Sequence, residues 1–325
     1  MARIPAAVAA VRQAVRRALP PSGPVLVACS GGADSLALAA AARFVGGPRV
    51  GLVTVDHGLQ DGSDRRARDV AGWAREAGFD PVEVATVDVT GRPGGPEAAA
   101  RAARYAALSD VAGRTGAVAV LLGHTRDDQA ETVLLALARG AGPRGLAGMP
   151  RRKGLLLRPL LDVARADTRK ACAALGLVPW DDPHNVDPAY ARSRVRGSAL
   201  PALVEALGPA VVANLARSAQ QIATDNAALD ALAAEALPGR DVLDIPDLSG
   251  LADAIRTRVL HAWAKQLGVP GAALSHRHVA ALDALVTDWH GQGPAFLPGG
   301  IRVARVNGQL VRVSDQSVRT VTQGA

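Results

Sequence analysis

The sequence predicts an α/β fold: a doubly wound, mainly parallel sheet, followed by a helical linker and a small α+β domain. Four short runs of β-branched and apolar residues recur before residue 123, and helical stretches separate them. From residue 189 onward the pattern changes to long helices rich in Ala and Leu, with strand-like runs near the end. Strands that alternate with helices of this length form parallel βαβ units. We therefore expect three regions, at residues 1–215, 216–240 and 241–325.

The elements of the first region follow from these runs in order. The apolar runs are short and β-branched, so they predict strands buried on both faces, at residues 25–29, 50–55, 82–87 and 118–122. Between them we predict helices at residues 35–44, at 63–77 with Ser63 as N-cap, and at 97–112 after Pro96. Ligands of such sheets bind at the carboxyl ends of the strands, so the residues after each strand are candidates for the site.

The C-terminal third predicts a long helix at residues 209–237, a break at Pro238-Gly239, and helices at 251–267 and 275–289. Two final runs, at 301–306 and 309–313, read as strands. Asn307-Gly308 lies between them and predicts a type I′ hairpin, because both central positions of that turn need a positive φ.

Composition excludes several classes of protein. With 49% hydrophobic and 21% charged residues in 325, the chain is not disordered as a whole and can bury a sizeable core. No stretch approaches 18 consecutive apolar residues, and the first 20 residues lack the layout of a signal peptide, so we expect a cytoplasmic protein without a membrane partner. The two cysteines, Cys29 and Cys172, cannot form a disulfide framework or a C-x-x-C metal site.

The positive charge is concentrated in the middle of the chain. The net charge is +7, and residues 151–220 alone carry 11 basic and 6 acidic side chains. Arginines greatly outnumber lysines. An arginine excess favours bidentate contacts with phosphate, although the same bias arises in a GC-rich genome without selection for binding. The middle of the chain is therefore where we expect a polyanion to bind.

A glycine-rich turn follows the first predicted strand and leads directly into a helix. Its glycines let the backbone approach a ligand, and the helix N-terminus directs unpaired N–H groups and partial positive charge into the same space. The carboxylate of Asp34 would repel phosphate unless a divalent cation lies between them, which implies Mg²⁺. The alternative is a tight turn with Asp34 as N-cap. We predict a nucleotide-phosphate site formed by Ser30, Gly31, Gly32, Ala33, Asp34 and Ser35.

An acidic motif follows the fourth predicted strand. It reads Gly-His-Thr-Arg-Asp-Asp-Gln-Ala-Glu-Thr over residues 123–132, and it places Asp127, Asp128 and Glu131 beside His124. One helix cap needs one carboxylate, so a capping box leaves most of these groups unexplained. The cluster is suited to hold Mg²⁺, to receive an ammonium group, or to position a base that deprotonates an amine.

These motifs resemble a known family. Residues 30–35 resemble the PP-loop of the N-type ATP pyrophosphatases, whose fold is of the adenine nucleotide alpha hydrolase type and which adenylate an acceptor. Residues 123–132 resemble the G-H-x-x-D-D-Q-x-E-T motif of the tRNA(Ile)-lysidine synthetases. Further matches, over about residues 20–210, are Asp56-His57, Arg104-Tyr105, Arg158-Pro159-Leu160-Leu161, Asp181-Asp182-Pro183 and Arg192-x-Arg194-x-Arg196. The sequence departs from the family pattern at Gln60, His184 and Ser193, to which we assign no role.

The resemblance implies a two-step reaction on the wobble cytidine of the isoleucine tRNA with a CAU anticodon. The C2 carbonyl oxygen of cytidine first attacks the α-phosphate of ATP and releases pyrophosphate. The ε-amine of free lysine then attacks C2 and expels AMP, leaving lysidine. It also implies that residues 1–215 form the catalytic domain and residues 241–325 bind tRNA. A homodimer is left open.

The resemblance further implies roles for individual residues. The nucleotide would contact residues 30–35, Asp56 and His57, and Mg²⁺ would contact Asp34, Asp127 and Asp128. The catalytic residues would be Asp34, Arg104, His124 and Asp128. Arg104 would stabilise charge on the α-phosphate, and His124 titrates in the range suited to a base. Asp128 and Glu131 would contact the substrate lysine.

Three arginines are candidates for binding the tRNA. Arg192, Arg194 and Arg196 alternate at period two, which places them on one side of an extended segment but splays them around a helix. A solvated basic turn is the alternative interpretation. Trp180 or Tyr190 is a candidate to stack against an unstacked base, unless these rings belong to the core. The rival function is a PP-loop tRNA thiolation enzyme, but such enzymes usually need paired catalytic cysteines.

Overall fold

A six-stranded sheet forms the centre of the first of two compact units, Met1–Ala223 and Thr224–Ala325. The computed structural model describes residues 4–56, 58, 62–87, 96–182, 187–236, 239, 241–271 and 273–313. The strands of this sheet are β1 (Val25–Ala28), β2 (Val50–Asp56), β3 (Val82–Thr86), β4 (Ala119–Leu122), β5 (Arg152–Lys153) and β6 (Leu156–Leu157).

The sheet is parallel except at one edge, as predicted. Its order is β3-β2-β1-β4-β6-β5, and only β5 runs antiparallel, beside β6. The central strand β1 pairs with β2 on one side and with β4 on the other, with Val25 opposite both Val50 and Ala119. The chain therefore changes direction around β1, so the loops after β1 and β4 are adjacent at the carboxyl edge of the sheet.

Helices cover both faces of this sheet. They are α1 (Ala6–Ala18), α2 (Ala33–Gly46), α3 (Ser63–Glu76), α4 (Pro96–Thr115), α5 (Arg126–Ala138), α6 (Pro143–Leu146) and α7 (Arg165–Ala174). Residues of α1, α2, α3 and α7 pack with Val25 and Val27 of β1 on one face. Leu108 of α4 packs with Leu26 on the other face. Alternating side chains of a buried strand thus supply both cores, which is the doubly wound arrangement.

Two helix starts illustrate how the sequence sets local structure. The prediction that Ser63 caps α3 is wrong: Gly62 occupies the N-cap with φ +77°, and the hydroxyl of Ser63 instead donates to Oδ1 of Asp56 at 2.6 Å. Thr125 caps α5, and its N–H and hydroxyl both donate to Oδ2 of Asp128 at 2.8 Å. The cap of α5 therefore uses one carboxylate oxygen of the acidic motif.

A helical segment follows the sheet. It comprises α8 (Ala191–Arg194), one turn of π-helix (Val195–Ala199), α9 (Leu200–Leu207) and α10 (Val211–Glu235), and the unit boundary falls within α10. In the part of the chain that the structure describes, no single helix is long and apolar enough to span a membrane. The segments Ala191–Leu207 and Val211–Glu235 pass that test by length and composition only as a pair bent by 101°.

The second unit is a small α+β domain built on an antiparallel sheet. Its elements are β7 (Leu243–Asp244), α11 (Ile245–Ser249), α12 (Asp253–Gln266), α13 (His276–Thr287), β8 (Ala295–Leu297), β9 (Ile301–Val306) and β10 (Gln309–Val313), with strand order β7-β10-β9-β8. Trp263, Leu282 and Leu310 are fully buried in its core. Asn307 and Gly308 both have positive φ, at 48° and 76°, so the hairpin prediction is confirmed.

Candidate active site

The glycine-rich turn forms an open cradle at the start of α2. Gly31 has φ +83°, a conformation that L side chains rarely adopt, and Gly32 is the N-cap of α2. The Ser35 hydroxyl donates to the Gly32 carbonyl at 2.9 Å and accepts the Ser30 N–H at 3.2 Å. Ser35 therefore shapes the turn, whereas Ser30 is exposed. The N–H groups of the first turn of α2 have no carbonyl partner within the helix, which suits them to an anion.

Trp180 holds this turn from outside. Its backbone N–H donates to the carbonyl of Gly31 at 2.9 Å. The Arg66 guanidinium lies 3.0 Å from the centroid of the Trp180 ring, so one face of that ring is covered by a cation. If the Trp180 ring stacks on a base, as predicted, it must use the face that Arg66 does not cover. Tyr190 is the N-cap of α8 and is partly buried.

The two sequence motifs lie against each other. A Cβ atom added to Gly123, directly after β4, would lie 3.1 Å from the backbone of Asp34 and Ser35. This is tighter than ordinary van der Waals contact, so the acidic motif approaches the phosphate turn as closely as a glycine allows. The sheet topology thus brings the predicted nucleotide and acidic residues into one site.

Arg165, the first residue of α7, lies among the acidic side chains. Its guanidinium reaches Asp128 at 2.8 Å, Glu131 at 3.1 Å and Asp34 at 3.6 Å. Its backbone N–H donates to Oδ2 of Asp127 at 2.8 Å. Burial alone would lower the pKa of Arg165, but the charges of Asp128 and Glu131 raise it above its usual value. This one residue therefore contacts every acidic group that the two motifs contribute.

Glu131 is completely buried, with 0% of its side chain exposed, and it is paired with arginines from two segments. Arg196 donates to its two oxygens at 2.8 and 3.0 Å, and Arg192 lies 3.4 Å away. Arg165 adds a third guanidinium. A carboxylate without solvent needs such partners to stay charged. The acidic cluster is therefore a mixed network of carboxylates and guanidinium groups, and not a cluster of acidic groups alone.

The three candidate tRNA-binding arginines do not share a surface. Their backbone is helical, so they are splayed rather than aligned as in an extended segment. Arg192 and Arg196 are one turn apart and both face Glu131. Arg194 donates instead to the carbonyls of Pro188 and Ala189 at 2.7 and 2.9 Å.

Asp34 and Asp128 have shifted acidities. Burial raises the pKa of Asp34, which also accepts a hydrogen bond from the Thr168 hydroxyl. Burial would raise the pKa of Asp128 as well, but the Arg165 guanidinium and the Thr125 N–H lower it below its usual value. Asp128 is therefore ionised across the physiological range, whereas Asp34 depends on Thr168 and Arg165 for its charge.

The predicted three-carboxylate metal site is not formed. Among the described residues, no group of three or more His, Cys, Asp or Glu side chains is arranged to hold a metal ion. Both oxygens of Asp128 are occupied, by Thr125 and by Arg165. Oδ1 of Asp127 has no partner within the described ranges, so this side chain offers one carboxylate oxygen. That fits a Mg²⁺ ion held mainly by substrate phosphates rather than by a protein cage.

His124 is not suited to act as a base near neutral pH, contrary to the prediction. Its pKa is lowered to about 3, chiefly by burial and also by the charges of Arg104 and Arg158, although the charge of Asp128 opposes the shift. The imidazole is therefore neutral at physiological pH, and its Nδ1 is buried without a hydrogen-bond partner in the described structure. Burial also lowers the pKa of Arg104, whose Nε is likewise buried and unpartnered.

Asp56 orders the turn after β2. Its Oδ1 accepts hydrogen bonds from Ser63 and from the N–H of Gly58 at 3.1 Å, and its side chain is buried. The other residue predicted to contact nucleotide after this strand, His57, lies outside the described residues. So do residues 183–186, which include part of the match that begins at Asp181.

The two cysteines do not form a catalytic pair. Both are buried as free thiols, and burial raises the pKa of Cys29 and raises that of Cys172 to about 11. Cys29 donates to Ser35, and Cys172 donates to the carbonyl of Ala33. They are inert neighbours of the phosphate turn rather than nucleophiles.

Sequence reasoning missed three polar residues of this site. Arg165 and Thr168 contact the acids from α7, and Gln129 exchanges two hydrogen bonds with the backbone of Met149, at 2.8 and 3.1 Å. Gln129 lies inside the acidic motif and was visible as a member of it. Arg165 and Thr168 follow soon after the matched residues 158–161, and only that proximity hinted at them.

Two family models match separate regions of the chain. A model described as a PP-loop domain matches residues 7–203, and one described as the TilS substrate binding domain matches residues 243–311. Among solved structures, a U34-tRNA thiolase from Methanococcus maripaludis has a TM-score of 0.54 at 18% identity, over 66% of this chain and 79% of that chain. A likeness at this identity shows the fold alone.

Curated relatives match nearly the whole chain. The tRNA(Ile)-lysidine synthase of Salinispora tropica is 65% identical over 327 residues, which cover 96% of this chain and 98% of the relative. That of Thermobifida fusca is 56% identical over 322 residues, covering 96% and 99%. The resemblance is therefore not confined to residues 30–35 and 123–132. It extends over the PP-loop domain and over nearly the whole length of these relatives. The chain belongs to the tRNA(Ile)-lysidine synthase family.

Proposed function

We propose that this protein ligates free lysine to C2 of the wobble cytidine in the isoleucine tRNA with a CAU anticodon. ATP first adenylates the cytidine and pyrophosphate leaves; the ε-amine of lysine then displaces AMP, and lysidine is formed. The observation that carries the proposal is the contact between the phosphate turn and the acidic motif, which Arg165 joins into one charge network. Such a site can hold a triphosphate and an amino acid side by side.

The phosphate turn would bind ATP through main-chain groups. The N–H groups at the start of α2 and the exposed Ser30 hydroxyl would donate to phosphate oxygens. Gly31 sets the shape of the turn through its positive φ, and a Cβ atom there would lie 3.0 Å from Val70. Arg104 lies near His124 and has one buried donor, its Nε, without a partner in the described structure, so it is suited to stabilise charge on the α-phosphate as the bond to pyrophosphate breaks. Asp56 and His57 remain predicted nucleotide contacts.

Magnesium would be held by the nucleotide phosphates together with Asp127 or Asp34. When bound, it supplies neutralisation of the phosphate charge and so makes pyrophosphate a better leaving group. The protein's own contribution is to keep these two carboxylates in place, Asp34 through Thr168 and Asp127 through the N–H of Arg165.

Lysine would bind where carboxylates and guanidinium groups meet. A free amino acid carries an α-ammonium and an α-carboxylate. The predicted lysine contact at Asp128 would require the ammonium to compete with Arg165 for that carboxylate, whereas Glu131, which is 0% exposed, would act by holding Arg192 and Arg196 in place for the anion. The arginines around His124 also disfavour a positive charge there, which lowers the pKa of an amine placed beside them. Because His124 is neutral, its role would be to hydrogen-bond the reacting groups.

The thiolation alternative is not supported. The curated relatives at 56–65% identity are lysidine synthases, and the buried thiols of Cys29 and Cys172 have raised pKa values. The likeness to a thiolase at 18% identity concerns the fold. A homodimer and a cytoplasmic location stay predictions.

The proposal is tested with purified protein, ATP, Mg²⁺, labelled lysine and a CAU isoleucine tRNA transcript. We expect incorporation of label into the tRNA, accompanied by AMP and pyrophosphate. A transcript with uridine at the wobble position is the control, because uracil has a carbonyl at C4 and a proton on N3, which make its C2 oxygen a poorer nucleophile than that of cytosine. Absence of incorporation beside a working family enzyme would refute the assignment.

A further inference from the structure

A continuous basic segment without acidic residues begins where the acidic motif ends. Residues 132–161 contain six basic side chains and no Asp or Glu. They cover the rest of α5, the short helix α6 and the hairpin of β5 and β6. A stretch of one sign that emerges from the active-site helix is a candidate surface for a polyanion.

Several of these side chains have partners in the protein, among them the exposed Arg152, whose Nε donates to the Gly154 carbonyl at 3.2 Å. Arg151 pairs with Asp162 at 2.6 Å and donates to Gln220 at 3.1 Å. Arg158 is buried and donates to the carbonyl of Pro150 at 2.8 Å. Arg139, Arg144, Arg152 and Lys153 are exposed. By contrast, Arg192 and Arg196 already neutralise Glu131.

The exposed basic segment is held rigidly to the catalytic helix at its base. Gln129 of α5 accepts the N–H of Met149 at 2.8 Å and donates to the Met149 carbonyl at 3.1 Å. The backbone N–H of Arg158 donates to the Arg151 carbonyl at 2.8 Å. Gln129 follows Asp128 directly, so the position of Arg152 and Lys153 is fixed relative to the acidic site.

Edge protection does not account for this pattern. Arg152 and Lys153 form the edge strand β5, and charged residues on an edge strand prevent pairing with other chains. Arg139 and Arg144 lie outside the strand, however, at the end of α5 and in α6. Their charge has the same sign, and they too are exposed.

We propose that Arg139, Arg144, Arg152 and Lys153 form a phosphate-binding surface for the tRNA backbone next to the anticodon. This rests on the proposed function and names the part of the protein that would hold its RNA substrate. The surface contacts phosphates and not bases, so it contributes affinity and orientation without reading sequence. It replaces Arg194 and its neighbours as the main electrostatic contact.

The test compares two double variants of equal charge. In R152Q/K153Q the edge strand loses two charges, and in R16Q/R17Q the exposed face of α1 loses two. We expect R152Q/K153Q to weaken binding of the tRNA transcript by roughly tenfold and to lower the slope of log Kd against log salt by about 1.5 between about 50 and 200 mM. The R16Q/R17Q control keeps the affinity and slope of the unaltered protein.

The outcomes separate the two proposals. Equal behaviour of the two variants, whether both weaken or neither does, overturns the phosphate-binding surface. Size-exclusion chromatography of R152Q/K153Q identifies edge pairing, and a variant that self-associates but binds tRNA normally also overturns it. Failure of the unaltered protein to incorporate lysine refutes the proposed function instead, while the binding comparison still decides whether this surface holds RNA.

Discussion

Arg165 connects the nucleotide turn to the acidic motif through a single guanidinium. Asp34, Asp128 and Glu131 converge on it, and three carboxylates at this separation would repel one another without a cation between them. The side chain of Arg165 is 19% exposed and that of Glu131 is 0% exposed, so water screens these charges weakly. Arg165 is therefore a positioning residue whose loss leaves buried charge uncompensated.

Replacing Arg165 with alanine is expected to destabilise the protein by about 3 kcal/mol, because the carboxylates that it pairs with would lose a cationic partner in a poorly solvated site. Urea unfolding measures this loss. Arg169→Ala on the same helix is the control: Arg169 pairs with Asp181 on the surface, with 56% and 72% of the two side chains exposed, so its removal should cost less than about 1 kcal/mol. Similar losses in the two variants would contradict a buried network.

His124 makes stability depend on pH in a direction set by its low pKa. In the folded protein its pKa is about 3, against 6.5 for an ordinary histidine, so between these values only the unfolded chain takes up a proton there. The free energy of unfolding therefore falls as pH falls below 6.5, at up to about 1.4 kcal/mol per pH unit.

We expect His124→Asn to flatten this dependence between about pH 7 and pH 5, as measured by urea unfolding at each pH. The same substitution at exposed His276 controls for loss of an imidazole elsewhere. A His124→Asn protein whose stability still falls as steeply as that of the unaltered chain would show that the imidazole is protonated in the fold.

At the level of elements, the sequence predicts what depends on local pattern. The four long strands and the helices between them were predicted within a few residues, because buried strands and amphipathic helices have distinct periodicities. The strands β5, β6 and β7, of two residues each, were not, since their pairing depends on distant partners such as Leu156 with Val120. Arg165 was not predicted as a site residue for the same reason, because its three acidic partners lie 34 or more residues away in the sequence.

The close packing of the β4–α5 loop on α2 yields a prediction about Gly123. Gly123→Ala would place a methyl group 3.1 Å from the backbone of Asp34 and Ser35, so the two motifs must separate by a few tenths of an ångström. We expect adenylation, measured as tRNA-dependent exchange of pyrophosphate into ATP, to fall at least tenfold, because a small misplacement of reacting groups costs rate steeply.

Gly113→Ala in α4 is the matched control for Gly123→Ala. Gly113 is exposed in a helix with open space around its Cβ position, and alanine there should stabilise the protein by up to about 1 kcal/mol without loss of exchange. An active Gly123→Ala protein would mean that the two motifs do not depend on this contact.

In the whole molecule, each of the two units packs around hydrophobic residues of its own, which predicts separate unfolding. One unit surrounds the parallel sheet, and the other has its own core around Trp263. We expect two calorimetric transitions, of which ATP shifts only the one belonging to the first unit, since a ligand stabilises the unit it binds. A chain ending at Glu235 should keep that transition and its response to ATP. One transition that shifts as a whole would indicate a single cooperative unit.

The pairing of Glu131 with arginines from two helical segments constrains any redesign of the enzyme. A library aimed at a different amine donor that varied Glu131 alone would mostly sample sites in which Arg165 and Arg196 repel each other. Such positions are strongly epistatic, because the effect of one substitution depends on which residues occupy the other positions of the network. Productive variants should therefore arise when the acid and its guanidinium partners are mutated together.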